Sequence, residues 1–249
     1  MKRGTFFLIA CILIGCTVLF GLGMWQLNRL EWKEGVIAKV EKNLRGEPVE
    51  VSKVFDEVPQ GTGDINYYPI KISGTYAPIE PLFEFTTFKG ASGWNLYALF
   101  KTAEQDRSAL SEYVVINRGF IPYNKRKEFE GVKPPSGAVE LVGLLRSPPG
   151  IQPSAAFDNE LANRTFYWRD IVAMATVFEK DPSAVAHWYV DLGLPKNKVS
   201  GGELPIAGTT LINFPNNHFQ YALTWFGLGG TLLVVGGSFL WSRRQKNEN

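Results

Sequence analysis

The sequence predicts a membrane protein of the α+β class, with two transmembrane helices flanking an exported, mostly antiparallel β domain, a small barrel or sheet with one or two packed helices. Three observations predict it. Two apolar runs, one near each end of the 249-residue chain, are each long enough to cross a bilayer. Between them the apolar period changes from helical to alternating. The short tails outside both runs are basic, which puts both on the cytoplasmic side and exports what lies between.

At the amino end, Lys2 and Arg3 precede an uncharged stretch over residues 4–28. Residues 1–4 are read as a cytoplasmic tail and 5–27 as the first span. A cleaved secretory signal has an apolar region of about 7–15 residues, so the longer run reads as an uncleaved anchor. Leu13-Ile14-Gly15-Cys16 and Leu8-Ile9-Ala10-Cys11 look like lipoprotein processing boxes, but the apolar run continues past both cysteines. Leu30, Val36, Ile37, Val40 and Leu44 keep a 3.6-residue period, so residues 28–45 extend the helix until Gly46 and Pro48 stop it. Trp25, Arg29 and Trp32 share one face, where Arg29 can snorkel to phosphate head groups or pair with a ligand carboxylate.

The exported segment is assigned to residues 28–217. Residues 49–51, 67–76, 82–88, 94–102, 113–120 and 139–145 read as strands rich in aromatic and β-branched residues, with further strands at 165–168, 187–192 and 209–214. Turn signals separate them at Gly61-Thr62-Gly63-Asp64, Gly90-Ala91-Ser92-Gly93, Pro134-Pro135-Ser136-Gly137 and Pro148-Pro149-Gly150. Asp170 is placed to cap a helix running to about Glu179, with Ile171, Met174, Ala175 and Phe178 on one face. Both cysteines, Cys11 and Cys16, lie in the first span, so the exported part holds no disulfide framework, and the lack of Cys-x-x-Cys-His excludes covalent c-type haem.

The second span covers residues 218–241, leaving 242–249, with Arg243, Arg244 and Lys246, as a cytoplasmic tail. Pro215 precedes it, and Asn216 or Asn217 can cap its free backbone N–H groups. Helical spacing puts Tyr221, Ala222 and Trp225 on the face that carries His218. Two readings remain open on residue types alone: an interfacial aromatic belt with a polar residue at the helix end, or an axial imidazole beside a flat apolar wall suited to a planar ligand such as haem.

Much else is excluded. A net charge of +2 without a basic aromatic patch speaks against nucleic acid. With only His187 and His218, and no exported cysteine, nucleophilic constellations have few ways to form. Gly-x-Ser-x-Gly, His-Glu-x-x-His, the phosphate loop and the dinucleotide fingerprint are missing. No catalytic residue is assigned, and the chain reads as a non-enzyme. His187, beside Trp188 in an apolar strand, reads as a satisfied structural histidine.

Several motifs carry a family resemblance over almost the whole chain. They are the stretch from Gly23 through Trp25-Gln26-Leu27-Asn28-Arg29 to Lys33, Val115-Ile116-Asn117-Arg118-Gly119-Phe120-Ile121-Pro122, Gly143-Leu144-Leu145-Arg146, Tyr167-Trp168-Arg169-Asp170, and Asn216-Asn217-His218-Phe219-Gln220-Tyr221-Ala222-Leu223-Thr224-Trp225. In this order, between two spans, the chain resembles a bacterial member of the surfeit-locus-one (Shy-one) family of cytochrome c oxidase assembly factors. Phe120 stands where that family often has Trp.

The resemblance implies a bacterial inner-membrane protein with two spans, cytoplasmic termini and a periplasmic domain, which binds haem a non-covalently and assists its insertion into oxidase subunit I. Haem a synthase or other oxidase assembly factors are implied as partners beside subunit I and the lipid bilayer. His218 is the implied axial ligand to the haem iron, with Tyr221, Trp225 and Trp25 as an aromatic wall and Arg29 as partner to a propionate. The alternative is a cofactor-free membrane scaffold for subunit I or other assembly factors, in which Thr17 with Gly21 and Gly227 with Thr231 serve helix packing, and Arg118 and Arg169 serve strand-to-strand pairing.

Overall fold

The computed structural model describes residues 3–58, 64–104, 111–155, 157–195, 203–210 and 214–248. The chain forms two compact units, residues 1–39 with 213–249, and residues 40–212. Lys2, the turn residues 61–63 and residues 211–213 of the expected last strand lie outside the described residues.

In the first unit, helix α1 (Arg3–Arg45) meets helix α4 (His218–Glu248). A Cβ added at Gly236 would strike Ile12, one at Gly15 would strike Leu232, and one at Gly23 would lie 2.5 Å from the Phe226 ring. Contact positions fall along α1 as they rise along α4, so the pair is antiparallel. Glycine at these points lets the opposite side chain reach the helix backbone, which is how helices pack closely without a water-driven force between them. The Cys16 thiol points at the Gly229 carbonyl, and the Phe20 and Phe226 rings sit 5.8 Å apart. Thr17, Gly21, Gly227 and Thr231 are outside this seam. The two threonines bond carbonyls of their own helices, and a Cβ at Gly21 or Gly227 would meet nothing within 4 Å. Both helices are long and apolar enough to cross a membrane, and little of their apolar surface is covered by protein.

Among its described residues the second unit forms a mixed sheet of eight strands: β1 (Val49–Glu50), β2 (Pro69–Tyr76), β3 (Leu82–Phe88), β4 (Ala91–Thr102), β5 (Tyr113–Pro122), β6 (Ala138–Arg146), β7 (Thr165–Phe166) and β8 (Val185–Leu192). The spatial order is β1-β2-β6-β8-β5-β4-β3-β7 with a further β2–β4 pairing. That pairing, Gly74↔Thr102 through Tyr76↔Phe100, closes β2, β6, β8, β5 and β4 into a five-stranded ring. Closure removes the exposed edges these strands would otherwise present. The pairings β1–β2, β3–β7 and β5–β8 are parallel, a departure from a wholly antiparallel meander.

Side chains from all five ring strands fill its interior: Ile72, Phe100, Ile116, Leu145 and Trp188 are fully or almost fully buried there. Helix α2 (Val51–Glu57) adds Val51 and Val54 to this core. Outside the ring, helix α3 (Ile171–Val177) covers Tyr97, Leu99, Val115 and Tyr189 with Ile171, Met174, Ala175 and the following Phe178. The Asp170 carboxylate accepts from the Ala173 N–H at 3.0 Å, as a capping aspartate should. Alternation along β8 sends Ala186, Trp188 and Val190 inward and Val185 and Tyr189 under α3.

The structure corrects four local expectations. The strand expected at 49–51 ends at Glu50, and α2 follows at once, because Val51 and Val54 sit one helical turn apart on the same core. The turn expected over 90–93 tightens to Lys89 and Gly90, both with positive φ, and Ala91 to Gly93 join β4. This is the primed turn that suits the twist of a two-residue hairpin. Thr209 and Thr210 are not in a strand. His187 is exposed rather than a satisfied core residue, since α3 covers its β8 neighbour Tyr189 and not the histidine itself.

Candidate functional site

His218 is the first residue of α4. Its helix starts without the expected side-chain cap: the Tyr221 N–H donates to the Asn217 backbone carbonyl at 3.1 Å, and the buried Asn216 Oδ1 has no partner. The Lys33 ammonium on α1 donates to the Pro215 carbonyl and ties the approach of α4 to the first helix.

The imidazole faces α1. With the Gln26 amide oxygen toward the ring, His218 Nδ1 lies 2.7 Å from Gln26 Oε1. An amide oxygen only accepts, so the neutral imidazole carries its proton on Nδ1 and donates it to Gln26. The Nε2 lone pair is left uncommitted, and Nε2 bonds none of the described residues. Gln26 is 9% exposed, the one buried polar side chain of the helix pair among the described residues. Sequence reading did not single it out. The available signal was an amide inside an apolar run, three residues from Gly23 and so on the same face as the glycine that admits Phe226.

The other expected site residues divide. Ala222, one turn after His218, is buried in the seam, and Trp225 is half-buried. Tyr221 and Trp25 are more than half exposed. Among the described residues none of these three rings stacks on another aromatic. The Arg29 guanidinium lies 3.9 Å from the Trp32 ring centroid, a cation–π pair along one face of α1.

The β unit holds a second polar cluster. Parallel register sets Asn117 of β5 beside Asp191 of β8, where the Asn117 amide donates to Oδ1 at 2.8 Å. Arg146 from the end of β6 donates to Asp191 Oδ2 at 3.0 Å, and the Thr210 hydroxyl donates to the same oxygen at 2.9 Å. Antiparallel register sets Glu84 of β3 against Asn95 of β4, and the Glu84 carboxylate accepts from Asn95, the Tyr97 hydroxyl and Arg169. Arg169 also donates to the hydroxyls of Tyr97 and Tyr189, both at 2.7 Å. Gly119, in the motif with Asn117, has φ +127, and any Cβ there would collide with the Ile206 backbone that pairs with Phe120.

Burial raises the Tyr97 phenol well above the usual range, although Arg169 pulls it down. Burial likewise raises Tyr189, with the Asp191 charge adding to it. For Arg169, burial opposes the charge, but the Tyr97 oxygen and the Glu84 carboxylate more than offset it and keep the guanidinium protonated. Arg169 thus ties β3, β4 and β8 together from the loop that leads into α3, the pairing expected of it. Arg118 of β5 lies 5.6 Å from the centroid of the Tyr76 ring at the end of β2, a cation–π contact that also links two strands.

Comparison with known proteins gives a consistent result. A family model described as SURF1 family matches residues 13–230. Surfeit locus protein 1 of Homo sapiens is 27% identical over 237 residues, covering 90% of this chain and 73% of the human protein. The Gallus gallus protein of the same name is 28% identical over 242 residues, covering 90% and 71%. A SURF1-like protein of Rickettsia felis is 26% identical over 230 residues, covering 90% of this chain and 92% of its own. With a match that runs from the first helix through His218 and its aromatic neighbours, the chain belongs to the SURF1 family.

Proposed function

We propose that this protein is a bacterial inner-membrane assembly factor for haem–copper cytochrome c oxidase, and that it carries haem a for insertion into subunit I. The observation that carries the reading is the His218–Gln26 contact at 2.7 Å, which leaves the imidazole Nε2 free at the start of a membrane-length helix. Membership of the family supports the wider role. The orphaned Asn216 Oδ1 beside the histidine supports a ligand here, because a buried oxygen without a donor is costly unless a partner completes it.

On this reading α1 and α4 are the two spans, with cytoplasmic ends and a periplasmic β unit, since Arg243 and Arg244 follow the second span closely. Haem is cargo, and its iron offers a coordination position to an imidazole lone pair. His218 holds the iron through Nε2 while Gln26 fixes the ring. Tyr221, Trp225 and Trp25 supply apolar ring faces, and Arg29, stacked on Trp32, keeps a guanidinium edge for a propionate. A single protein ligand suits a carrier, because cargo held by one bond can be handed on. Nothing in this role requires catalysis, and haem a synthase or other assembly factors are the partners from which cargo would arrive.

The test is the absorption spectrum of detergent-purified protein from cells that make haem a, with His218→Ala in parallel. A Soret band that is lost in the variant supports the carrier. The competing reading, a cofactor-free scaffold, draws on the exposed Trp25 and Tyr221 as a helix-docking face. A colourless wild type that still co-purifies subunit I would favour it.

A further inference from the structure

Three motifs of the β unit, around Asn117, Arg146 and Arg169, play no part in holding cargo at His218, yet their side chains meet at one place. They line a cavity of about 220 Å³ together with Asn95, Asp191 and a set of threonines. We propose that this cavity is a binding site for a carboxylate at the end of a short apolar chain.

The hydrogen-bond inventory decides the ligand's chemistry. Both acidic groups are already satisfied: Glu84 accepts from Asn95, Tyr97 and Arg169, and Asp191 accepts from Asn117, Arg146 and Thr210. The donors are not used up. Arg146 spends Nε on Asn66 and Nη1 on Asp191, and Arg169 spends Nε on Glu84 and Tyr97 and Nη1 on Tyr189. Nη2 of each arginine bonds none of the described residues. Thr86, Thr87 and Thr209 line the same space, and their hydroxyls bond none of the described residues either. A cavity with spare donors and occupied acceptors selects a ligand that accepts.

Charge and size narrow the class. Two arginines offset Glu84 and Asp191, so the cluster is neutral before a ligand enters. A monoanion adds one charge facing two guanidinium edges, whereas a phosphate dianion would add two to a partly buried site, and desolvation penalises the second steeply. Phe88 and the Tyr67 ring, over which Arg146 stacks at 4.4 Å, form an apolar part of the wall. The volume admits a carboxylate and a few methylenes. Such a group could be a free short-chain acid or the carboxylate arm of a larger ligand such as a porphyrin.

The experiment uses the full-length protein in detergent with ¹³C-carboxyl propionate as probe, read by its chemical shift and by calorimetry. Saturable binding is expected, at least tenfold tighter than for inorganic phosphate, and retained in His218→Ala, which makes the site independent of the haem reading. Arg146→Gln should weaken it more than tenfold. Because that variant unpairs Asp191 and can misfold, the double variant Thr86→Val, Thr209→Val provides a second test: it keeps the shape and should weaken binding several-fold. Competition by iron-free protoporphyrin would assign the arm of a larger ligand, and its absence a free acid. Non-saturable binding, equal affinity for phosphate, or unchanged binding in a folded threonine double variant would overturn the proposal.

Discussion

Replacing Gln26 tests whether the second helix's imidazole is held for ligation. Gln26→Leu keeps the side-chain volume in the seam but removes the acceptor 2.7 Å from His218 Nδ1. A buried hydrogen bond contributes about 0.5–1.5 kcal/mol net. Losing a partner that orients a metal-binding histidine typically costs about 10–100-fold in affinity, or about 1.4–2.8 kcal/mol. The second range should apply, because without Gln26 the ring is free to rotate and to place its proton on Nε2, the nitrogen that must be bare. Titration of the purified protein with haem, followed at the Soret band, should show Kd raised at least tenfold. Gln26→Glu retains an acceptor and makes it anionic, so it should keep most of the affinity while lowering the haem reduction potential, a readout that packing alone would not move. An unchanged Kd in a folded Gln26→Leu protein, or equal losses in both variants with no shift in potential, would refute the reasoning.

Three further outcomes follow from packing and charge. Gly23→Leu drives its side chain into the Phe226 ring and should cost about 1–3 kcal/mol by overpacking, reducing haem retention, whereas Gly21→Ala, with nothing within 4 Å, should behave as wild type in the same assay. Phe178→Ala empties a fully buried position under α3 and should cost about 3–5 kcal/mol in chemical denaturation, whereas Phe157→Ala, at a ring 76% exposed, should change stability little. Tyr97 and Tyr189 have folded pKa values raised by burial, so their contribution to stability is complete below the ordinary tyrosine pKa of about 10 and is lost as pH climbs toward the folded values. An absorbance titration should therefore show these two phenols ionising only at or after alkaline unfolding. Full ionisation of every tyrosine in the native state would contradict this.

How far the fold was legible depends on how local its causes are. Asp170 with Ile171, Met174, Ala175 and Phe178 was readable, because a cap and a one-turn period sit within nine residues and the structure buries that face. The alternation of residues 82–88 fixed β3 to the residue. Helix α2 was hidden, since two buried valines three apart, following Val49, look as much like a strand as a turn of helix. The closure of the ring through Tyr76 and Phe100 was not readable, because it depends on residues far apart in the chain.

The candidate site shows the same division. His218 stood out by its rarity and position. Its partner did not, because the helix seam was sought at the small residues Thr17, Gly21, Gly227 and Thr231, while the glycines that face the opposite helix are Gly15, Gly23, Gly229 and Gly236. Spacing alone offers several faces on an apolar helix, and only the partner helix selects one. The convergence of Asn117 and Arg146 on Asp191 likewise follows from sheet register, which brings together segments dozens of residues apart, and Arg169 joins them from the loop before α3 by its bonds to Glu84, Tyr97 and Tyr189.

The central claim, that His218 ligates haem iron, is tested most directly by electron–nuclear double resonance on the ferric protein labelled with ¹⁵N-histidine. The chain has only two histidines, so a His187→Gln background, purified through a histidine-free tag, leaves His218 as the sole labelled ring. The account predicts a strongly coupled ¹⁵N nucleus at the iron. A haem-loaded protein with no histidine coupling would contradict it.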